Sequence, residues 1–369
     1  MPKRVLVTDA GSGASNNLAR SLRAGEADVV LVGCHADAFL LRNASTDRKY
    51  LVPPARDPRF ADAIARVVER ERIDLIVPNT DAAVVALSDA RRRFPDRLFL
   101  PRRGVVDLCQ DKLALARRLA AHGIPVPTTV AVRAGGGLAA AFRRLRPAPV
   151  WCRIRTGSGS RGAAPMLTAG HARSWIAYWG AMRGVTPDQF TLAEYLPGRD
   201  FACQMLWRDG GLVLAKTCER LSYFGGGGQP SGRSSIAALA KTVREPAVVD
   251  VCARAVRALD RRASGAFSVD LKENRDGVPC ITEINVGRFI TLMNLLDLTG
   301  KHNMTSTYVR LGLGEPVELR DEYDAPDDHY FVRDVDSEPL IFHADEFFDG
   351  IEDARVTAPG SARATTGRG

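Results

Sequence analysis

The sequence predicts two architectures in one chain: an α/β segment built on a parallel sheet, then a larger α+β region. Three observations carry this. Strands and helices alternate from the N-terminus, the pattern of a parallel sheet covered on both faces. Near Gly104 the alternation stops and strands begin to follow one another. Finally, 369 residues exceed what one compact core holds, so two or three domains are expected.

Taken in order, "RVLVTDA" reads as a strand, "SNNLARSLRAGE" as a helix closed at Gly25, and "DVVLVGC" as a second strand. "PRFADAIARVVERERI" has helical apolar spacing and is followed by the strand "DLIVPNT"; "RLFLP" reads as the last strand of the sheet. "DLCQDKLALARRLAAHGIPVP" reads as one helix, stopped by Gly123 and the prolines beyond it. After "TTVAV" and the helix "GLAAAFRRLR" come the strand "PVWCRI", a glycine-rich loop and the strand "AAPMLT". A helical stretch to about Gly184 precedes the strands "FTLAEYL", "RDFACQML" and "LVLAKTCERLS", then the helix "EPAVVDVCARAVRAL" and a hairpin over 267–289. From Asp321 the chain turns acidic and carries one more hairpin, "YFVRDVDSEPLIFH"; the end, "TAPGSARATTGRG", is expected to be disordered.

Composition narrows the function. Hydrophobic residues make up 45% and charged residues 25%, ordinary for a soluble globular protein. No apolar run reaches the ~18 residues of a membrane helix, and "MPKRVLVTDAG" enters a strand with no signal-peptide region. Seven scattered cysteines without a CxxC pair suit reduced thiols, so a cytoplasmic location is expected. No histidine spacing suits a zinc hydrolase. The formal charge of +8 is arginine spread in short helical runs, without a basic stripe interleaved with aromatics, which argues against nucleic acid.

Three elements could hold a nucleotide. In "DAGSGASNN", Gly11 and Gly13 open a helix after a strand, but Asn16 stands where the third glycine of GxGxxG belongs. The segment is either a dinucleotide turn, with Asp37 as a ribose partner, or a tight βα turn. In "RTGSGSRGA", Gly157, Gly159 and Gly162 lie between two strands, which suits a flap over phosphates or a surface hairpin. The third element is "FSVDLKENRDGVPCITEIN". A two-residue turn at Asp276-Gly277 pairs Asp270 with Glu283 and Ser268 with Asn285. Like charges so placed repel unless they share a cation, and oxygen ligands with an amide suit Mg²⁺. The alternative is a solvated hairpin.

The order "QDK", "VWCRIRTGSGSRG", "LAEYLPGRD", "SVDLKENRDGVPCITEIN" resembles the ATP-grasp superfamily, within it the carbamoyl-phosphate-synthetase-like carboxylate–amine ligases. The resemblance covers about 104–316, and the segment before it resembles that family's Rossmann-like pre-ATP-grasp domain. It implies that Lys112 and Arg153 contact the α- and β-phosphates, and that the loop with Gly157, Ser158, Gly159 and Ser160 closes over the triphosphate. It implies further that Ala193, Glu194 and Leu196 form the adenine hinge, that Asp200 meets the ribose, and that Asp270, Glu283 and Asn285 ligate Mg²⁺, with Mn²⁺ as a substitute. The usual EINPR ending is "EINVGRF" here, so Arg288 lies one residue late for its role on the transferred group.

The implied chemistry is activation of a small carboxylate, such as an amino acid, as an acyl phosphate for attack by an amine. Arg220 or Arg233 is available for an anionic group, and Thr80 and Asp81, at a strand's carboxyl end, for substrate. The expected divisions are 1–104, a two-lobed ATP-grasp region over 105–190 and 191–320, an extension over 321–353 and a tail over 354–369. A homodimer is a candidate assembly. The alternatives are a nicotinamide-dependent oxidoreductase and a non-catalytic nucleotide-binding protein.

Overall fold

The structure, a computed structural model, describes residues 2–25, 28–134, 136–157, 159–229, 231–232, 234, 236–332 and 349–355. The chain begins with β1 (Lys3–Thr8), α1 (Gly13–Gly25), β2 (Val29–His35), α2 (Ala38–Arg42), β3 (Arg48–Leu51), α3 (Phe60–Glu71), β4 (Leu75–Val77) and α4 (Asp81–Asp89). β1 pairs in parallel with both β2 and β4. It is an interior strand, and its run Val5, Leu6, Val7 is fully buried, as a strand covered on both faces requires.

Next come α5 (Arg103–Gln110), α6 (Lys112–Ala120), β5 (Thr129–Ala131), α7 (Leu138–Arg144), β6 (Val150–Ile154), β7 (Ala164–Met166), α8 (Ala169–Arg183) and β8 (Phe190–Glu194). β5 to β8 form a four-stranded sheet in the order β5-β8-β6-β7. The rest comprises β9 (Asp200–Arg208), β10 (Gly211–Tyr223), β11 (Ala237–Thr242), α9 (Pro246–Leu259), β12 (Gly265–Glu273), β13 (Pro279–Val286), α10 (Met293–Thr299), α11 (Met304–Gly312), β14 (Tyr330–Val332) and β15 (Glu352–Asp353). A six-stranded sheet runs β13-β12-β9-β10-β11-β14, with all its pairings antiparallel.

Two expectations need correction, and a third is met only in the part that the described residues cover. "RLFLP" forms no ladder among the described residues; Ile76 N–H of β4 donates to the Arg97 carbonyl at 2.9 Å. β4 is therefore an edge, and the opposite edge is β15, which returns from residues 352–353 to pair in parallel with β3. The long helix over 107–127 is two helices. Asp111 breaks it with extended dihedrals (φ −103°, ψ 99°), and its carboxylate caps α6 by accepting from Leu113 N and Ala114 N. Of the acidic hairpin, β14 pairs with β11, and its second arm lies outside the described residues.

The packing divides the molecule in an informative way. β1, β4 and α1 share one core with β9, β10, α10 and α11, through Val5, Leu18, Leu75, Leu206, Leu296 and Tyr308. The N-terminal sheet and the six-stranded sheet are thus joined by a common apolar interior. Helices α5 and α6 pack on the other face of the six-stranded sheet, with α9. The four-stranded sheet has its own core, which includes Val150, Leu192 and Ile176.

A buried ion network fastens the first assembly. Lys216, fully buried on β10, donates to Asp324 Oδ2 and to the Leu296 carbonyl, both at 2.8 Å, with Asp297 Oδ1 at 3.7 Å. Asp297 in turn accepts from Ser21 of α1 and from Met304 N. Lys216→Ala would leave two buried carboxylates without their cation, and should lower stability by about 3–5 kcal/mol. A lower midpoint in urea unfolding followed by circular dichroism is the expected outcome.

Candidate active site

The hairpin β12–β13 does place Asp270 opposite Glu283 and Ser268 opposite Asn285, though not by the two-residue turn. Asn274 and Val278 close a longer turn, with Asn274 N–H donating to the Val278 carbonyl at 2.9 Å and Gly277 at φ 73°. That shift alone would bring Thr282 opposite Asp270. A bulge at Thr282 moves the register back, and its hydroxyl donates to the Asp270 carbonyl at 3.0 Å. Two one-residue displacements cancel, and the carboxylates face each other.

Around this pair stand four cations from different elements. Arg220 on β10 meets Asp270 Oδ1 at 2.5 Å, Asp200 Oδ1 at 3.2 Å and the Phe201 carbonyl at 2.9 Å. Lys112, at the start of α6, lies 3.6 Å from Glu283 Oε2 and donates to the Gly157 carbonyl at 2.5 Å. Arg153 on β6 is buried and donates to the Thr282 carbonyl at 2.9 Å. Arg288 donates to Asp81 Oδ1 at 2.5 Å and to Asn285 Oδ1 at 2.8 Å. The Asn285 amide nitrogen donates to Asp270 Oδ2 at 3.4 Å and Glu283 Oε1 at 3.3 Å.

The electrostatics separate the two acids. Burial pushes Asp270 up to about 6; Arg220 pulls it down, and the Glu283 charge pushes it further up. Burial also acts to raise Glu283, but Lys112 and then Arg153 hold it below the usual carboxylate range. One member of the pair is therefore firmly anionic while the other resists ionisation, as expected of two acids sharing one place.

The glycine loop joins β6 to β7 as a hairpin between strands. Gly157, Gly159, Ser160 and Gly162 all have φ between 54° and 98°, so the backbone there suits glycine and little else. Ser158 lies outside the described residues. The loop's base is stapled by Asp111, whose carboxylate takes both the Arg155 Nε at 2.7 Å and the cap of α6. Arg155 thus turns to Asp111, away from Arg153. Asp111 was missed as a site residue, and its signal was its place directly before Lys112 at a helix start.

Ala193 and Leu196 are buried at the end of β8, where the chain crosses from the four-stranded to the six-stranded sheet. Glu194 exchanges backbone and side-chain bonds with Thr128. Both oxygens of Asp200 are engaged, one by Arg220 and one by the Tyr223 hydroxyl at 2.9 Å, which draws it into the carboxylate cluster. Thr80 caps α4 by accepting from Ala83 N and donates to Asp9 Oδ2 at 3.0 Å. Arg233 lies outside the described residues. At the N-terminal turn a Cβ on Gly11 would sit 1.6 Å from the Leu40 carbonyl, so α2 covers that turn, and Asp37 serves as the cap of α2.

Lys112→Met should release the glycine loop from α6. Trypsin is expected to cut at Arg161 several-fold faster in this variant, read by mass spectrometry of limited digests.

No protein-family model matches the sequence, and no curated protein does. Solved structures do match. An L-amino acid ligase from Bacillus licheniformis is 13% identical with a TM-score of 0.64, covering 84% of this chain and 74% of that one. A biotin carboxylase from Campylobacter jejuni, solved as a beta-gamma-ATP complex, is 14% identical with a TM-score of 0.66, covering 89% and 74%. The biotin carboxylase domain dimer of a 2-oxoglutarate carboxylase from Hydrogenobacter thermophilus, with MgADP, ADP and bicarbonate, is 15% identical with a TM-score of 0.65, covering 89% and 73%. The chain shares its fold with these proteins.

Proposed function

We propose that the protein is an ADP-forming ligase that uses ATP to activate a small carboxylate as an acyl phosphate, which an amine then attacks. One observation carries the reading: two facing carboxylates ringed by four cations, each cation coming from a different element. The ATP and MgADP in the structures of similar fold support it.

The donor set fits a hard divalent ion. Asp270 and Glu283 would hold it with carboxylate oxygens, and Asn285, whose amide oxygen now accepts from Arg288, would join them by turning that oxygen toward the pair. Among the described residues no group of three His, Cys, Asp or Glu is arranged for a metal, so the remaining ligands would be phosphate oxygens and water. Bound there, Mg²⁺, or Mn²⁺ in its place, would neutralise charge on the polyphosphate.

The chain's own residues supply position and charge. Lys112 and Arg153 would contact the α- and β-phosphates, and Arg220 and Arg288 the transferred phosphoryl or the acyl group. The backbone at Ala193, Glu194 and Leu196 would read adenine at the crossing between sheets. The loop from Gly157 to Gly162 would cover the phosphates and exclude water, which protects the acyl phosphate from hydrolysis. In the first step a carboxylate oxygen attacks the γ-phosphorus and ADP leaves. In the second the amine attacks the acyl carbon and phosphate leaves. Neither step needs a protein nucleophile. In this reading residues 1–104 form the domain before the grasp, 105–190 and 191–320 its two lobes, 321–353 an extension and 354–369 a tail.

The test is a screen for substrate-dependent ADP release over amino acids and small carboxylates, with mass spectrometry of products. Asp270→Ala and Glu283→Ala should each reduce turnover by at least about a thousandfold, on the scale of lost charge stabilisation, with the circular dichroism spectrum unchanged. Wild-type turnover in either variant would sink the metal assignment.

A further inference from the structure

We propose that Asp81 is a positioning residue: it holds the Arg288 guanidinium off Asp270 and Glu283, so that the carboxylate pair stays available to a divalent cation. The inference rests on the metal reading above.

The extra residue in "EINVGRF" explains the arrangement. Gly287 has φ 73°, and a Cβ there would sit 2.9 Å from Leu100 Cδ2 and 3.0 Å from Val84 Cγ1. Its N–H still donates to the Ala266 carbonyl at 2.8 Å, so it extends the hairpin while the strand end lies against α4. Val84 is one helical turn after Asp81, so the same contact brings Arg288 beside the first turn of α4. The start of that helix is fixed by the Thr80 cap, and Thr80 is fixed by Asp9. The N-terminal sheet shares its core with the six-stranded sheet, so Asp81 is carried rigidly to the hairpin.

Hydrogen-bond chemistry then orients Asn285. Arginine only donates, so the amide atom 2.8 Å from Arg288 is the oxygen; ionised carboxylates only accept, so the atom facing Asp270 and Glu283 is the nitrogen. The guanidinium therefore stands one amide away from both acids, and both acids attract it. Asp81 accepts from its Nε–H, beside the Nη2 that donates to Asn285. Without that charge, the nearest anions are the pair itself, and an arginine seated there would compete with a metal ion.

The measurement is the gain in AMP-PNP affinity that Mn²⁺ confers, taken by isothermal titration calorimetry as the ratio of Kd without and with the ion. Taking this ratio divides out any direct contact between Arg288 and phosphate. Asp81→Asn should shrink the Mn²⁺ gain about tenfold, and Asp81→Asn with Arg288→Gln should bring it back to within about threefold of the unsubstituted protein. Arg288→Gln alone should keep the full gain, which tests the idea even if Asp81→Asn misfolds. The proposal is overturned by an undiminished gain in Asp81→Asn, by a double variant as weak as the single one, or by a lost gain in Arg288→Gln. If the unsubstituted protein shows no Mn²⁺ gain, the metal reading itself falls and this one with it; an undiminished gain in Asp81→Asn overturns this inference alone.

Discussion

Repulsion between Asp270 and Glu283 is the constraint around which the site is organised. Two carboxylates opposite each other on adjacent strands, partly withdrawn from water, cannot both ionise freely unless positive charge surrounds them. The fold meets this with Lys112, Arg153, Arg220 and Arg288, drawn from α6, from β6, from β10 and from just past the end of β13. None of these cations depends on the pair alone. Each is also held elsewhere: Lys112 by the Gly157 carbonyl, Arg153 by the Thr282 carbonyl, Arg220 by Asp200, and Arg288 by Asp81. That second hold ties each cation to the scaffold as well as to the acids.

The scaffold divides according to the same logic. A common apolar core joins the N-terminal sheet to the six-stranded sheet, so Asp81 and the hairpin are placed with respect to each other by packing. The four-stranded sheet keeps a core of its own. Prominent links from it to the site are polar: Arg153 to Thr282, Arg155 to Asp111, and the Gly157 carbonyl to Lys112. Polar contacts of this kind are remade at little cost when water or a ligand can replace a partner. A loop with successive left-handed residues, hung on such contacts, can change position while the carboxylate hairpin stays where packing puts it.

Much of this was legible in the sequence because it is local. The alternation of strand and helix, the glycine loop between strands and the apolar face of the hairpin follow from periodicity and turn chemistry over a few residues. The facing of Asp270 and Glu283 was expected through the wrong turn, and it held because the bulge at Thr282 offset the longer loop. A bulge leaves no clear mark in sequence, since Thr suits a regular strand equally well. The break at Asp111 was hidden for a related reason: the helical apolar spacing runs straight across it, and only the capping carboxylate reveals the restart. "RLFLP" has the composition of a strand, but a ladder needs a partner, and that depends on distant segments. The pairing of β15 with β3 likewise joins residues some three hundred apart, beyond the reach of any local pattern.

The departure from the familiar motif carries a further lesson. An inserted residue after a ligand strand would ordinarily turn the next side chain to the opposite face and remove it from the site. Here the inserted residue is glycine in a left-handed conformation, packed against Val84 and Leu100, and the arginine after it still reaches Asn285. Among the described residues, the cations joined around the hairpin are Lys112, Arg153, Arg220 and Arg288, and the carboxylates that engage or face them are Asp81, Asp200, Asp270 and Glu283, with the Asp111–Arg155 pair beside them. In the proposed reaction, a polyphosphate arriving with a divalent ion exchanges partners within a balanced set. Asp270 and Glu283 would hold the ion, and Lys112 and Arg220, which now engage them, would be available to the phosphates. Asp81 and Asp200 lie outside that exchange and keep two of the arginines aimed while it happens. An arginine displaced by one residue can therefore serve the site as long as an acid at the start of α4 fixes where it points.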